Sequence, residues 1–452
     1  MFSRVLVANR GEIAVRVIRA VHELGIEAVA VYSTADREAA HVRLADRAVC
    51  IGPPPAAESY LRIPSVVAAA ETTGCEAVHP GYGFLAENPA FVDACAASGL
   101  VFVGPGSEVM ALLGDKARAK AALRAAGVPL VPGTEGAATL AEARAAASEL
   151  GYPVLLKAAA GGGGKGMRLV EAPGDLEPAY AAAAAEAEAA FGDGSLYLEK
   201  ALVPARHVEV QVLCDADGGV LTLGERECSI QRRHQKLVEE SPSPALGAEA
   251  REALEAAVER ACRQVGYLNA GTFEFLVGPD GRPCFIEVNC RLQVEHPVSE
   301  LTTGIDIVRE QLRIAAGEPL ARTGRAPRGG HAIEIRINAE DPARGFAPAP
   351  GTITRFRPPL GPGVRVDTSV ADGAVVPPQY DSLIAKIVVA DADRPAAIAR
   401  AERALRELEI EGIPTTRELA LDILRSEAFL SGSYTTSYLA EMEHRLPSLQ
   451  AA

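Results

Sequence analysis

Two glutamates near the middle of the chain have the spacing of a metal site. The segment GTFEFLVGPDGRPCFIEVN predicts a β-hairpin whose two-residue turn is Asp280–Gly281. Pairing across that turn places Glu274 directly opposite Glu287, with their β-carbons about 5 Å apart, and Asn289 on the same face. Because facing carboxylates repel each other unless a proton or a cation lies between them, this arrangement suits Mg²⁺. The alternative is a polar hairpin face that meets water, and a bulge near Pro283 would shift the register.

The segment CRLQVEHPVSE, which follows the hairpin, combines a cation with a base. Arg291 and Glu295 are four residues apart, close enough to share a site. A guanidinium can hold a small oxyanion through two hydrogen bonds while a carboxylate accepts its proton. The same pattern is typical of a surface ion pair, so this segment alone leaves both interpretations open.

A cationic cluster precedes the hairpin in a chain that is otherwise acidic. The segment ERECSIQRRHQKLVEE places polar and cationic side chains close together, at Gln231, Arg232, Arg233, His234 and Lys236. Beside a pair of metal-binding carboxylates the cluster favours a polyanion such as nucleotide phosphates, and the alternative is a solvated charged turn. Cys228 in the same segment is either a thiolate paired with Lys236 or a buried structural thiol.

The segment AAAGGGGKGM (residues 158–167) predicts a glycine loop between two strands. Glycines let backbone N–H groups converge on phosphate oxygens, and Lys165 adds a positive charge. A Walker A loop would need glycine at Ala159 and serine or threonine at Gly166, so this is a different kind of loop. A loop with only a structural role fits the pattern equally well.

Lysine is rare in this chain, although basic residues are not. Of the 45 basic residues only seven are lysine: Lys116, Lys120, Lys157, Lys165, Lys200, Lys236 and Lys386. A lysine retained against such a bias is a candidate for a place that needs a compact ammonium, with chance as the alternative.

The elements that must position these residues begin with an α/β pattern over the first 105 residues. RVLVANRG and EAVHPGYG predict strands that end in glycine loops, and EIAVRVIRAVHELG predicts a helix that ends at Gly25. Ligand sites of an open α/β sheet lie at the carboxyl ends of its strands. The first loop, NRGE, lacks the GxGxxG pattern and therefore disfavours a dinucleotide site.

The rest of the chain predicts three further units. Residues 151–203 combine three strands, the glycine loop and a helix at 176–191. Residues 206–295 supply long strands around one helix at 248–265. A loose tract, GEPLARTGRAPRGG, precedes a last unit that opens with the alternating strand HAIEIRINAE and closes with helices.

The overall composition excludes several classes of protein. The 452 residues, 48% of them hydrophobic and 23% charged, indicate a globular chain of about three domains. A formal net charge of −14 disfavours nucleic-acid binding. Neither a membrane span nor a signal or transit peptide is apparent, so we expect no membrane association and a cytoplasmic location. Eight scattered cysteines without a CxxC pair predict reduced, buried thiols.

Together these segments resemble biotin carboxylase, the ATP-grasp subunit of biotin-dependent carboxylases. RVLVANRGEIAVRVIRA, HPGYGFLAENPAF, KAAAGGGGKGM, GERECSIQRRHQK, FIEVNCRLQVEHPVSE and AIEIRINAEDP occur in the order of that family and span essentially the whole chain. Five of the seven lysines fall in the family's nucleotide or bicarbonate segments. Cys290 departs from the pattern, since the family usually has threonine or a similar small residue there, and we expect the change to alter packing and not chemistry.

The resemblance implies an α/β and α+β fold with three domains. Residues 1–113 would form a Rossmann-like pre-ATP-grasp domain, and residues 114–320 an ATP-grasp domain with a mobile lid at about 131–203. Residues 330–446 would form the biotin carboxylase C-terminal domain.

The resemblance also implies roles for individual residues. The implied bicarbonate and catalytic residues are Lys236, Arg291, Gln293, Val294 and Glu295. The implied biotin-facing residues are Tyr82, Gly83, Asp381 and Arg336, the last of which faces the ureido oxygen. The implied nucleotide contacts are Lys116, Lys157, Gly162, Gly163, Gly164, Glu199, Lys200, Leu202, His207, Gln231, His234 and Leu276. The implied ligands of Mg²⁺ or Mn²⁺ are Glu274, Glu287 and Asn289.

The implied activity is the ATP- and bicarbonate-dependent carboxylation of biotin through carboxyphosphate. No Met-Lys dipeptide occurs, so we expect the biotin on a separate biotin carboxyl carrier protein and the second half-reaction on carboxyltransferase subunits. The family is commonly dimeric. We expect acetyl-CoA as the final acceptor, in fatty-acid synthesis, with propionyl-CoA and pyruvate as open alternatives.

Two other functions compete with this interpretation. Another ATP-grasp ligase, such as a carbamoyl-phosphate synthetase half or an amino-acid ligase, would lack HPGYGFLAEN and RLQVEHP. A catalytically silent ATP-binding regulator would not need to keep Lys236, Arg291, Glu295 and Arg336 together.

Overall fold

The computed structural model describes residues 1–134, 136–159, 166–442 and 445–449, and its N-terminal part is a parallel sheet. The strands are β1 (Arg4–Val7), β2 (Glu27–Ser33), β3 (Arg47–Gly52), β4 (Ala77–His79) and β5 (Val101–Phe102). The helices are α1 (Gly11–Glu23), α2 (Ala40–Leu44), α3 (Ile63–Thr73), α4 (Pro89–Ala97) and α5 (Ser107–Gly114). The strand order β3-β2-β1-β4-β5 places the loops after β1 and β4 side by side at the carboxyl edge.

A small antiparallel unit follows this sheet. Its elements are α6 (Lys116–Ala125), α7 (Leu140–Leu150), β6 (Val154–Ala158), β7 (Arg168–Val170), α8 (Leu176–Phe191) and β8 (Leu196–Lys200). The strands lie in the order β7-β6-β8. A reciprocal capping box between Thr139 and Glu142 starts α7. The predicted helix at 176–191 is confirmed as α8.

The remaining strands build one large sheet and three short pairs. They are β9 (Arg206–Cys214), β10 (Val220–Arg232), β11 (Gln235–Ser241), β12 (Asn269–Val277), β13 (Pro283–Asn289), β14 (Gly324–Arg325), β15 (His331–Asn338), β16 (Glu340–Asp341), β17 (Ala347–Pro348), β18 (Gly351–Thr352), β19 (Arg355–Arg357), β20 (Val364–Thr368), β21 (Val375–Val376), β22 (Leu383–Asp391) and β23 (Glu409–Glu411). The large sheet has the order β13-β12-β9-β10-β11-β15-β22-β20, with β14 beside β10. The short pairs are β16-β17, β18-β21 and β19-β23.

The large sheet runs across the predicted boundary between the second and third domains. β11 pairs with β15 in antiparallel register, with Val238 opposite Ile335 and Glu239 opposite Glu334. A continuous sheet holds side chains on both strands at a fixed separation. Side chains of the C-terminal strands therefore lie on the same face of the sheet as side chains of the central strands.

Helices cover both faces of this sheet. They are α9 (Ala248–Val265), α10 (His296–Thr303), α11 (Ile307–Ala315), α12 (Arg394–Glu407), α13 (Arg417–Arg425), α14 (Glu427–Ser431) and α15 (Tyr438–Met442). The predicted helix at 248–265 is confirmed as α9. On the C-terminal side, Ile333, Ile335 and Ile387 from the sheet share one buried core with Leu405 of α12 and Leu424 of α13. This core fixes the sheet strands that carry the polar residues of the opposite face.

The hairpin β12–β13 confirms the facing glutamates but not the predicted turn. Glu274 is paired with Glu287, as expected. The strands end at Val277 and Pro283, however, so the connection is a longer loop, and the predicted two-residue turn is wrong. A bulge between the Glu274 and Phe275 positions shifts the register by one residue and brings the two glutamates opposite each other.

Among the helices in the described ranges, none combines the length and the apolar character needed to cross a membrane.

Candidate active site

A cavity of about 910 Å³ lies where the N-terminal sheet, the small antiparallel unit and the large sheet meet. It is lined by most of the residues that the sequence singles out. These are Tyr82, Gly83, Lys116, Lys157, Leu202, His207, Gln231, His234, Lys236, Glu274, Leu276, Glu287, Asn289, Arg291, Gln293, Val294, Glu295, Arg336 and Asp381. Candidate residues that are up to three hundred positions apart in the sequence thus share one space.

Two of the expected nucleotide contacts point elsewhere. The carboxylate of Glu199 accepts hydrogen bonds from Lys120 and, at 2.7 Å, from Lys157. Lys200 donates to the backbone carbonyls of Gly151 and Tyr152. Neither Glu199 nor Lys200 is among the described residues that line the cavity. The expected contacts at Gly162, Gly163 and Gly164 lie outside the described residues.

The floor of the cavity is a buried group of alternating charges around Glu295. Lys236 donates to Oε1 of Glu295, and Arg336 donates to Oε2 at 2.9 Å. Burial alone would raise the pKa of Glu295, but the two cations hold this pKa well below its ordinary value. Glu295 is therefore ionised at neutral pH, and both of its oxygens are already occupied by donors.

Lys236 is held by three carboxylates at once. It donates to Glu209 and Glu295, and at 3.1 Å to Glu274. Burial alone would lower the pKa of Lys236, but these carboxylates raise it well above its ordinary value. The residue is a permanent cation in the centre of the site.

A second row of buried polar residues, which the sequence analysis missed, supports this group. Arg226 is fully buried and donates to Glu209 at 2.6 Å and to Gln211 at 2.7 Å. The signal was available, since Glu209 and Gln211 alternate with valines in the strand RHVEVQVLC. A charged residue on the buried face of a strand requires a partner.

The facing carboxylates and their neighbours form an oxygen-rich donor set. Glu274 is buried, and Lys236 and His207 outweigh the effect of burial and lower its pKa. Nε2 of His207 lies 2.9 Å from Oε2 of Glu274, and Asn289 donates to Oε1 at 2.8 Å. Glu287 stands opposite at the open side of the cavity. Burial and the charge of Glu274 raise the pKa of Glu287. Carboxylate oxygens on adjacent strands fit a hard divalent cation such as Mg²⁺.

Lysines dominate the opposite wall, on the side of the small antiparallel unit. Lys120 and Lys157 share Glu199, while the pKa of Lys116 is lowered by burial and by the charge of Lys157. The two ammonium groups of Lys120 and Lys157 outweigh the single charge of Glu199, and Lys116 adds a third positive charge nearby. This wall is therefore suited to a polyanion. Lys120, which the sequence analysis did not assign, is not among the described residues that line the cavity, but it shares Glu199 with Lys157.

Arg291 is oriented by a network of its own. Its Nη1 donates to Oε1 of Gln293 at 2.9 Å, and its Nη2 donates to Oδ1 of Asn289 at 3.0 Å. Its Nε donates to Glu87 at 2.8 Å. Arg291 and Glu295 line the same cavity but make no direct ion pair, so the interpretation as a simple surface pair is wrong.

The turn between β10 and β11 has an unusual backbone. Arg233 and His234 have φ values of 48° and 68°. These values lie in the left-handed region, which residues other than glycine rarely adopt. His234 lines the cavity beside Gln231. Cys228 in the same strand is fully buried, which raises its pKa well above the ordinary value. It is a thiol at neutral pH, and the thiolate–ammonium pair with Lys236 is wrong.

Further cavity residues come from loops at the two ends of the chain. The guanidinium of Arg10 lies 4.1 Å from the ring centroid of Tyr380 and pairs with Asp36 at 2.7 Å. Asn9 donates to the carbonyls of Pro80 and Tyr82, which ties the loops after β1 and β4 together. The sequence alone gave no signal for the contact between residues 10 and 380.

Three family models match successive parts of the chain. Residues 1–110 match "Biotin carboxylase, N-terminal domain", residues 115–323 match "Carbamoyl-phosphate synthase L chain, ATP binding domain", and residues 334–441 match "Biotin carboxylase C-terminal domain". The biotin carboxylase of Pseudomonas aeruginosa is 54% identical over 97% of this chain and 98% of its own.

The chain belongs to the biotin carboxylase family. As a member it is an enzyme, an ATP-dependent ligase that carboxylates biotin, and its three-part α/β architecture is that of the family.

Solved structures of biotin carboxylase family members have the same fold. The biotin carboxylase domain dimer of Hydrogenobacter thermophilus 2-oxoglutarate carboxylase, in complex with MgADP, ADP and bicarbonate, is 48% identical, with a TM-score of 0.94. The match covers 100% of this chain and 99% of that one. Rhizobium etli pyruvate carboxylase is 41% identical over all of this chain and 41% of its own length, with a TM-score of 0.91.

Proposed function

We propose that the cavity catalyses the first half-reaction of a biotin-dependent carboxylase, in which bicarbonate and ATP carboxylate biotin on a separate carrier. The observation that carries the proposal is the position of Glu295 between Lys236 and Arg336. In this arrangement Glu295 is the base. Lys236 is the cation suited to bind an oxyanion, and Arg336 is the cation suited to stabilise a developing enolate.

The bicarbonate step uses the residues around Arg291. Bicarbonate binds to Arg291 and Lys236, with Gln293 and Val294 beside it, and Glu295 accepts its proton. When the ammonium group of Lys236 donates to bicarbonate, Glu295 loses the hydrogen bond from Lys236. The loss raises the pKa of Glu295 and makes it a stronger base. The deprotonated oxyanion attacks the γ-phosphorus of ATP, ADP leaves, and carboxyphosphate forms.

The nucleotide occupies the lysine-rich wall and the adjoining strands. Lys116 and Lys157 stabilise the charge on the phosphates. His207, Gln231, His234, Leu202 and Leu276 line the space for the nucleoside. Glu274 and Glu287, with Asn289 beside them, would hold Mg²⁺ or Mn²⁺, and the bound ion would supply positive charge close to the phosphates. Glu199 and Lys200 remain proposed as adenine contacts through their backbone.

The biotin step uses the other end of the cavity. Carboxyphosphate gives CO₂ and phosphate, and the phosphate accepts the N1′ proton of biotin. Arg336 stabilises the negative charge on the ureido oxygen while N1′ attacks CO₂. Tyr82, Gly83 and Asp381 border the space in which the ring would bind.

Membership of the family supports proposals for the wider assembly. We propose a biotin carboxyl carrier protein and carboxyltransferase subunits as partners, a homodimer, and acetyl-CoA as the final acceptor. A homologous domain crystallises as a dimer, which supports the homodimer. All eight cysteines are unpaired, which supports a reducing compartment such as the cytoplasm. Reconstitution with acetyl-CoA, propionyl-CoA and pyruvate in parallel identifies the acceptor by which product forms.

The reaction is tested with the purified chain, MgATP and free biotin. Phosphate release and ¹⁴C-carboxybiotin are measured in one tube with and without bicarbonate. We expect bicarbonate-dependent ATP cleavage that free biotin accelerates. ATP cleavage that ignores bicarbonate would overturn the proposal.

A further inference from the structure

The segment HPGYGFLAEN (residues 79–88) contains a carboxylate to which the proposed chemistry gives no role. Tyr82 and Gly83 line the cavity, and Asn88 caps α4 by accepting a hydrogen bond from the N–H of Phe91. Glu87 lies in the sequence between the cavity residue Gly83 and the helix cap Asn88. It belongs to the N-terminal part of the chain, on the loop that joins β4 to α4.

Glu87 reaches across to the residues that follow β13. Its Oε2 accepts a hydrogen bond from Nε of Arg291 at 2.8 Å, and its Oε1 accepts one from the backbone N–H of Cys290, also at 2.8 Å. Glu87 and Arg291 are 204 positions apart in the sequence. The carboxylate therefore bridges two adjacent residues of another part of the fold with both of its oxygens.

This contact decides which edge of Arg291 is available to a ligand. Glu87 occupies the Nε edge of the guanidinium. The Nη atoms donate to Gln293 and Asn289, which themselves line the cavity. An oxyanion in the cavity thus meets the Nη groups, and the guanidinium cannot turn its Nε edge inward without losing a charge-assisted hydrogen bond.

We propose that Glu87 is a positioning residue for the bicarbonate site, which orients Arg291 from the N-terminal part of the chain. This inference rests on the proposed function. The position of the loop after β4 would then affect how Arg291 meets its substrate. Cys290 contacts Glu87 through its backbone N–H, while its side chain is buried in the core beside Tyr267.

The inference is tested by comparing Glu87→Gln with Asn88→Ala, its neighbour in the same loop. Glutamine has one acceptor and one donor group, so it cannot accept both hydrogen bonds. We expect Glu87→Gln to raise the KM for bicarbonate about tenfold while the KM for ATP changes less than about twofold. Asn88→Ala should lower the Tm through loss of the helix cap and leave both KM values unchanged.

A second Glu87 variant and the bicarbonate dependence of the unmodified protein complete the test. Glu87→Asp keeps the charge but is one methylene shorter, and it should shift the bicarbonate KM in the same direction if Glu87→Gln does not fold. An unchanged bicarbonate KM in a folded Glu87 variant, or equal shifts in both KM values, would overturn the positioning role. If the unmodified protein shows no bicarbonate dependence, the proposed function itself fails instead.

Discussion

Arg336 donates a hydrogen bond of 2.9 Å to Glu295, so the residue proposed to face biotin is bonded directly to the proposed base. The second partner of Arg336 is Glu239, at 2.6 Å from its Nε. Both carboxylates are fully buried, and together they raise the pKa of Arg336 above its ordinary value despite burial. The residues proposed for the bicarbonate step and for the biotin step therefore belong to one hydrogen-bonded group.

Substitution of Arg336 and of Glu295 should separate the bicarbonate step from the biotin step. We expect Arg336→Gln to retain slow bicarbonate-dependent ATP cleavage but to lose carboxybiotin formation. Glu295→Ala should lower both by about 10²–10⁴-fold, because the base acts before the attack on ATP. Phosphate release and ¹⁴C-carboxybiotin are measured together for each variant. Parallel loss of both activities in Arg336→Gln would show that Arg336 also organises the ATP step.

Lys236→Arg should reduce bicarbonate-dependent turnover by at least about tenfold, which is about 1.4 kcal/mol of barrier. Lys236 donates to Glu209, Glu274 and Glu295 from one nitrogen in a buried space. A planar guanidinium has a different size and donor geometry and cannot reproduce these three contacts. Steady-state kcat, with bicarbonate varied, is the measurement. Turnover close to that of the unmodified protein would contradict a requirement for the compact ammonium.

Glu274→Gln and Glu287→Gln should each increase the Mg²⁺ concentration needed for half-maximal ATP cleavage. Both remove one anionic oxygen donor from the facing pair. Glu274→Gln should also lower kcat, because Glu274 is a partner of Lys236. Asp280→Asn, in the exposed loop of the same hairpin, is the matched control. The metal assignment would be refuted by Mg²⁺ titrations that coincide for all three variants and the unmodified protein.

Glu334→Gln should make the stability of the protein less sensitive to a rise in pH above 4.5. Glu334 is fully buried, and among the described residues neither of its carboxylate oxygens has a hydrogen-bond partner. Burial, assisted by Glu239 on the neighbouring strand, raises the pKa of Glu334 well above its ordinary value of 4.5. The folded protein thus keeps a proton that the unfolded chain releases. Its stability falls as the pH rises from 4.5 toward the folded pKa.

The Tm difference between Glu334→Gln and the unmodified protein should therefore grow in favour of the variant as the pH is raised. Glu418→Gln, at an exposed ion pair with Arg417, serves as the control. A Tm difference that stays constant across the pH series would contradict a buried, protonated Glu334.

The sequence predicted much of the local structure and most of the site. Helices α8 and α9 have the predicted bounds because their apolar periodicity and their terminal glycines are local signals. The motif residues that line the cavity were found because each motif is a continuous segment with its own chemistry. The facing pair Glu274 and Glu287 was predicted as well, but from a two-residue turn that the structure does not have. An Asp-Gly dipeptide alone does not determine the length of the loop or the presence of the bulge.

Only the tertiary structure decided which partners these residues have. The sheet that joins β11 to β15, the sharing of Glu199 by Lys120 and Lys157, and the bridge from Glu87 to Arg291 all connect residues distant in the sequence. Periodicity and turn chemistry act over a few residues, whereas the partner of a buried charge depends on which strands become neighbours after the whole chain has packed. The sequence thus determined which groups the site contains, and the packing of the sheets determined which of them touch.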